Sequence, residues 1–129
     1  MKKINVYILL VLIAAVTFSA CKKDKDGNNN NSRVVRYEIS GNYSASKTVV
    51  YTTALGGTTN ETVTTLPWSK DITYASTVNG AAIAVTGTGG TAGQSISLVV
   101  KRTGSSPLTT PGTADASGIL NVASPAITF

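Results

Sequence analysis

Apolar and polar residues alternate along much of the chain from residue 33 onwards, a pattern typical of half-buried β-strands. In the segment 34–40, Val35, Tyr37 and Ile39 fall on one face, and mostly polar side chains fall on the other. No stretch in this part of the sequence has the 3.6-residue apolar repeat of a long amphipathic helix. The pattern therefore predicts an all-β structure.

The alternation predicts about seven short strands, separated by residues that favour turns. The predicted segments are 34–40, 47–53, 61–66, 68–74, 81–86, 95–102 and 119–122, with a closing segment at 126–129. Several of their side chains are expected to point inwards, namely Val49, Tyr51, Ile83, Val85, Ile96, Leu98 and Val100.

Glycine and proline residues define the predicted connections. Asn79-Gly80 predicts a tight two-residue hairpin, because both residue types tolerate positive φ. Gly87–Gly93 is expected to form a glycine-rich hairpin loop, and 103–118 a long irregular connection. Pro125 cannot donate a ladder hydrogen bond, so it should lie at a bend or an edge.

The number and spacing of these segments favour a small immunoglobulin-like β-sandwich over residues 33–129. An open sheet is the next alternative. A lipid-facing β-barrel is disfavoured, because one Trp, five Tyr and two Phe are too few for two aromatic girdles.

The first twenty residues have the features of an export signal. A basic Met1-Lys2-Lys3 start precedes the apolar run 4–16, which is shorter than the roughly 20 residues that span a bilayer. Small residues follow, so residues 1–20 are predicted to be a signal peptide. The segment Phe18-Ser19-Ala20-Cys21 resembles a bacterial lipobox. This resemblance implies cleavage between Ala20 and Cys21, diacylglycerol on the Cys21 thiol and acylation of the new amino terminus. An uncleaved anchor, or an ordinary signal peptide followed by an unrelated cysteine, is the alternative.

Residues 21–32 are predicted to be the lipidated Cys21 followed by a flexible polar tether. Lysine, aspartate, glycine and asparagine dominate this segment and cannot bury apolar surface. As a coil it would span about 17–20 Å. Its charged residues resemble Bacteroidetes lipoprotein export signals, which implies a lipid-anchored position in the cell envelope, at the outer membrane on its periplasmic or surface face. A plain spacer is the alternative.

Charge and composition narrow the classes of function. The net charge of +5 comes largely from lysines before residue 26, so no nucleic-acid partner is predicted. The chain has no His and a single Cys, which leaves residues 33–129 without an imidazole base or the usual zinc ligands. The sequence therefore favours a non-enzymatic protein without a metal or cofactor.

Three motifs resemble the MmpS family of small mycobacterial membrane proteins, which act as transport accessories. The motifs are Val35-Arg36-Tyr37-Glu38-Ile39-Ser40-Gly41, Val49-Val50-Tyr51-Thr52 and Leu66-Pro67-Trp68-Ser69-Lys70. The resemblance implies an immunoglobulin-like sandwich without enzymatic activity, with an envelope transporter or another membrane protein as partner. It also implies that Tyr37, Pro67 and Trp68 lie in or near the core.

Four residues are candidate binding positions: Trp68, Tyr74, Lys101 and Arg102. Trp68 is interpreted first as a core anchor between two sheets and second as a ligand platform. Lys101 and Arg102 form either a solvated strand end or a contact to an acidic partner or lipid.

The first functional hypothesis is a lipid-anchored, protein-binding or transport-accessory module. The alternative is a surface domain that binds a ligand such as carbohydrate. In that alternative the segment 103–118 would form a rim around an aromatic patch of Tyr43, Tyr51, Trp68 and Tyr74.

Overall fold

The computed structural model describes residues 33–129, and the predicted signal peptide, Cys21 and tether lie outside the described residues. Ten β-strands occur in this range. They are β1 (Val34–Gly41), β2 (Lys47–Thr52), β3 (Thr58–Val63), β4 (Trp68–Thr73), β5 (Gly80–Ala81), β6 (Ile83–Gly87), β7 (Ser95–Arg102), β8 (Leu108–Thr113), β9 (Leu120–Ala123) and β10 (Ile127–Thr128). Between residues 33 and 129 there is no helix long and apolar enough to cross a bilayer.

Eight of the strands form two four-stranded antiparallel sheets that stack into a sandwich. Sheet I has the order β4-β1-β7-β8, and sheet II has the order β3-β2-β6-β9. The short strands β5 and β10 pair separately. The prediction of an all-β sandwich is therefore confirmed.

The strand pairings follow the immunoglobulin pattern in the first part of the domain. In immunoglobulin sheets, strand B lies beside E, and strand C lies beside F. Here β1 pairs with β4, and β2 pairs with β6, in the same chain order. The β7–β8 hairpin then lies beside β1, where strand A lies in immunoglobulin domains.

The core lies between the sheets and includes the inward side chains that the alternation predicts. Val35, Tyr37 and Ile39 of β1 are fully buried. The inward residues predicted for the second, fifth and sixth strands are also buried, namely Val49, Tyr51, Ile83, Val85, Ile96, Leu98 and Val100. Period-2 patterning thus identifies the buried face of each long central strand.

Two predicted hairpins are wrong because the chain changes sheets at both places. After β4 of sheet I, the segment containing Asn79-Gly80 leads to β6 of sheet II. Gly80 instead pairs with Thr128, and a Cβ at Gly80 would lie 3.0 Å from the carbonyl oxygen of Ile127. Gly87–Gly93 likewise connects sheet II to sheet I. These glycines therefore serve crossovers rather than hairpin turns.

The segment 103–118 is not the irregular connection that its prolines and glycines predicted. It contains β8, which pairs with β7 along its whole length. Pro111 is tolerated because β8 is an edge strand. The third strand also begins earlier than predicted, at Thr58, and ends at Val63 rather than residue 66.

One charged side chain, that of Lys47, is buried at the start of β2, where the residue is 1% exposed. Its Nζ donates hydrogen bonds to the carbonyl oxygens of Tyr43 (3.2 Å) and Ala45 (2.7 Å). The ammonium also lies 5.4 Å from the centre of the Tyr43 ring. Burial lowers the pKa of Lys47, because desolvation penalises the charged amine.

Candidate functional site

The structure does not bring the four predicted binding residues together. Trp68 begins the edge strand β4 and is half-buried, whereas Tyr74 directly follows the other end of β4 and is buried. Lys101 projects from the outer face of sheet I, and Arg102 lies at the end of β7. Tyr74 and Arg102 therefore lie apart from the other two residues, and the four do not form one site.

The predicted aromatic patch does not form, because its tyrosines belong to the core. Tyr43, Tyr51 and Tyr74 are 2%, 7% and 2% exposed. The hydroxyl of Tyr74 lies 2.7 Å from that of Tyr37 and donates to the carbonyl oxygen of Thr52. Burial raises the pKa of Tyr74, because desolvation disfavours the charged phenolate. The segment 103–118, predicted as the rim of this patch, contains β8, which lies at the edge of sheet I opposite the strand of Trp68.

Arg102 has a local packing role in this structure. Its guanidinium donates to the carbonyl oxygen of Thr128 and to the hydroxyl of Ser105. It also lies 5.8 Å from the centre of the Phe129 ring, and Arg33 lies 5.0 Å from the same ring. Two guanidinium groups therefore hold the segment around Phe129 against the sandwich.

Trp68 belongs to a polar group that bridges the two sheets at one side of the sandwich. We call Tyr51, Glu61, Trp68 and Lys70 the edge cluster. Glu61 on β3 of sheet II accepts hydrogen bonds from Tyr51 (2.9 Å), Trp68 (2.7 Å) and Lys70 (2.5 Å). Trp68 and Lys70 lie on β4 of sheet I. Trp68 therefore links the sheets at their periphery rather than from the centre of the core.

The hydrogen bonds of the edge cluster favour the ionised form of Glu61. The bond from Lys70 is the main cause that lowers the pKa of Glu61, and the bonds from Tyr51 and Trp68 add to it. The Lys70 ammonium also lies 5.0 Å from the centre of the Tyr51 ring. The cluster combines an ion pair, a cation–π contact and two neutral donors around one carboxylate.

A second group of charges lies on the outer face of sheet I. Arg36 on β1 stands directly opposite Asp71 on β4 and Lys101 on β7. Arg36 bonds Asp71 and Glu38, each at 2.8 Å, and Lys101 bonds Glu38 at 2.6 Å. The bonds from Lys101 and Arg36 lower the pKa of Glu38. We call these four residues the charge ladder.

A shallow groove of about 290 Å³ adjoins the charge ladder. Arg36, Glu38, Ser40, Ser69 and Val99 contribute to its lining and project from neighbouring strands of sheet I. The predicted binding residue Trp68 and its neighbour Pro67 also line the groove. The groove and the ladder form one exposed surface on three strands. This surface is the candidate functional site.

The outer face of sheet II is chemically different. A row of Thr62, Thr48, Thr86 and Asn121 crosses its four strands. The other outward positions on these strands are Val50, Thr52, Thr58, Asn60, Ala84 and Ala123. None of these ten side chains carries a charge.

Sequence reasoning identified Lys101 but missed its partners. Arg36 and Glu38 fall on one face of a strand, which was visible in the alternation. Their proximity to Asp71 and Lys101 depends on the register of three strands that are distant in sequence. The contacts of Glu61 with Trp68 and Lys70 join consecutive strands, but they depend on the crossover of the chain from sheet II to sheet I.

No known protein-family model, curated protein or solved structure matches this chain. The resemblance to the MmpS family therefore stays a prediction. Across residues 33–129, no group of three or more metal-ligating side chains could hold a metal ion.

Proposed function

We propose that this protein is a lipid-anchored, non-enzymatic component of the cell envelope whose sandwich binds another protein. The observation that supports the binding role is the charge ladder with its adjoining groove on one face of the domain. We further propose that the partner is an envelope transporter or another membrane protein, as the MmpS-like motifs imply.

The charge ladder has the physical properties of a recognition surface. Complementary charges across an interface contribute mainly to specificity and to the rate of association. Arg36, Glu38 and Lys101 already hold each other in place by short hydrogen bonds. A partner would therefore immobilise fewer free side chains, which reduces the entropic cost of binding.

The anchoring part of the proposal rests on Cys21 and the lipobox-like residues before it. Two or three acyl chains would hold the protein in the membrane almost permanently, since each buried CH₂ contributes about 0.8 kcal/mol. Radiolabelled palmitate should be incorporated into the full chain and lost in Cys21→Ala. Equal labelling of both proteins would contradict lipidation at this residue.

The partner-binding proposal can be tested by site-specific photocrosslinking in native membranes. We expect a photoreactive residue in place of Ser69, beside the ladder, to crosslink to a distinct membrane protein. The same residue in place of Thr86, on the outer face of sheet II, is the matched control. Reversal of one ladder charge by Lys101→Glu should reduce the Ser69 product several-fold. Equal products from the two positions, or no product from Ser69, would contradict the proposal.

A second candidate function is binding of a neutral saccharide on the outer face of sheet II. A groove of about 360 Å³ there is lined by the hydroxyl groups of Ser46, Thr48, Thr62 and Thr86 and by Asn121. Hydroxyl and amide groups can exchange hydrogen bonds with sugar hydroxyls without a net charge. Glycan binding that is lost in Thr86→Val but kept in Lys101→Glu would favour this candidate over the first.

A further inference from the structure

The four edge strands of the sandwich differ in how they are protected against pairing with another chain. Exposed strand edges are usually blocked by proline, by charged side chains such as lysine, by bulges or by a covering element. β8 carries Pro111, and β4 carries Lys70. β9 lies against β8, which covers it. β3 has six residues without proline, lysine or arginine, and the carboxylate of its one charged residue, Glu61, is already bonded within the edge cluster. The edge of β3 is therefore the least protected of the four.

The hydrogen bonds of β2 determine which backbone groups of β3 are free. The N–H of Thr52 donates to the carbonyl oxygen of Ala82, so Thr52 bonds towards β6 and not towards β3. Backbone N–H and C=O groups of successive residues point to opposite sides of a strand, so those of Tyr51 and Val49 point towards β3. Their partners in β3 are Thr59 and Glu61. The N–H and C=O groups of the alternate residues Thr58, Asn60 and Thr62 therefore point to the free edge.

We propose that β3 pairs antiparallel with β3 of a second copy of this chain, about a two-fold axis at Asn60. A two-fold interface requires that each residue and its counterpart exchange the same contacts. The edge-directed residues Thr58, Asn60 and Thr62 read the same in both directions around Asn60. Thr58 would thus lie opposite Thr62 of the second copy, and Asn60 opposite its own counterpart. The two sheets II would become one eight-stranded sheet.

The charge of Glu61 selects this register over its neighbour. A register centred on Glu61 also overlaps most of β3, but it places two carboxylates directly opposite each other, which is destabilising. In the register centred on Asn60, Glu61 lies opposite Thr59 of the second copy. Its carboxylate already accepts three hydrogen bonds within its own edge cluster. The joined outer face then contains no charged strand residue.

Disulfide crosslinking of the full chain in native membranes tests the pairing. Hydrogen-bonded antiparallel partners lie about 5.5 Å apart between Cα atoms, which suits a disulfide. We expect Asn60→Cys to give a covalent dimer on oxidation. Thr86→Cys, in the centre of sheet II, and the unaltered chain with its single Cys21 should not. No dimer from Asn60→Cys, equal dimer from the controls, or a disulfide to a different protein would overturn the proposal.

A mixed experiment tests the register. When Thr58→Cys and Thr62→Cys chains are expressed together, they should form a mixed disulfide. Its yield should exceed, at least several-fold, the yield of the disulfide dimer that either variant forms when expressed alone. A preferred disulfide between Asn60→Cys and Thr62→Cys chains would instead show pairing about Glu61 and overturn the assignment.

Proline at Asn60 separates loss of pairing from loss of folding. The Asn60 N–H points to the free edge, so Asn60→Pro should retain a cooperative unfolding transition. When the Asn60→Pro substitution is introduced into both the Thr58→Cys chain and the Thr62→Cys chain, their mixed disulfide should no longer form. Crosslinking that persists in folded Asn60→Pro chains would overturn strand pairing through β3.

Discussion

The two sides of the sandwich are closed in different ways. At the side where β8 meets β9, the sheets approach so closely that a Cβ at Gly112 would lie 1.8 Å from Cγ2 of Val122. At the opposite side, Glu61 of β3 reaches Trp68 and Lys70 of β4 through hydrogen bonds. A glycine permits direct packing at the first side. A polar bridge joins the sheets at the second and leaves the backbone edge of β3 accessible.

The largest change in the free energy of unfolding is expected for a substitution at the tightly packed side, where β8 meets β9. Gly112→Ala should destabilise the domain by about 2–3 kcal/mol, because the added methyl overpacks the contact with Val122. Denaturant unfolding measures the change, with Thr113→Ala on the same strand as an exposed control. Val122→Ala should recover part of the loss in the double variant. A Gly112→Ala effect as small as that of the control would show that this side is not closed by direct packing.

A smaller change in the free energy of unfolding is expected at the opposite side, where the edge cluster joins the sheets. Glu61→Ala should cost about 1–2 kcal/mol, because it removes a partly exposed carboxylate that accepts three hydrogen bonds. Glu38→Ala in the charge ladder is the matched control, since the two side chains are equally exposed. It should change the unfolding midpoint less, because the bonds of Glu38 stay within sheet I, whereas those of Glu61 join the two sheets. Equal changes in the two variants would contradict a bridging role for Glu61.

The smallest effect is the pH dependence of the polar side. The folded-state pKa of Glu61 is lowered from 4.5, so its ionised form stabilises the fold above about that pH. This contribution is lost as the pH falls from 4.5 through the folded-state pKa. Between pH 7 and pH 3, Glu61→Gln should therefore lose less stability than the unaltered chain, by at most about 1 kcal/mol. Thermal unfolding at the two pH values measures this difference. An equal loss of stability in both proteins would contradict the prediction.

The sequence was sufficient to predict the strands whose two faces differ clearly. In β7, Ile96, Leu98 and Val100 alternate with more exposed residues, and the strand has the predicted bounds. The alternation within one strand is enough to identify its buried face. This prediction does not require knowledge of which strands pair with it or in what register.

The crossovers could not be predicted from local residues. Asn79-Gly80 has the composition of a hairpin turn, but the partner of Gly80 is Thr128 on β10. β8 was missed because Pro111 and Gly112 disfavour strands in general, whereas this edge position tolerates the first and needs the second for its contact with Val122. Both errors arise because distant packing overrides local turn chemistry.

The candidate site was only partly predictable for a related reason. Trp68 and Lys101 were identified as residues of interest, but neither the edge cluster nor the charge ladder follows from sequence spacing. The ladder depends on strands that are distant in sequence, as Arg36 and Asp71 are. The edge cluster joins residues that are close in sequence but lie on different sheets, as Glu61 and Trp68 do. The tyrosines misled the prediction, because their hydroxyls find partners inside the core.

The buried amine of Lys47 gives the domain an internal marker of opening. Amine-directed acylation reaches an accessible, unprotonated nitrogen, and Lys70 and Lys101 are at least partly exposed to such reagents. Lys47 is enclosed by the backbone of Tyr43 and Ala45, so it becomes reactive only when the start of β2 separates from its surroundings. Its rate of modification would therefore follow how often this end of the sandwich opens, in a purified sample or within an intact cell.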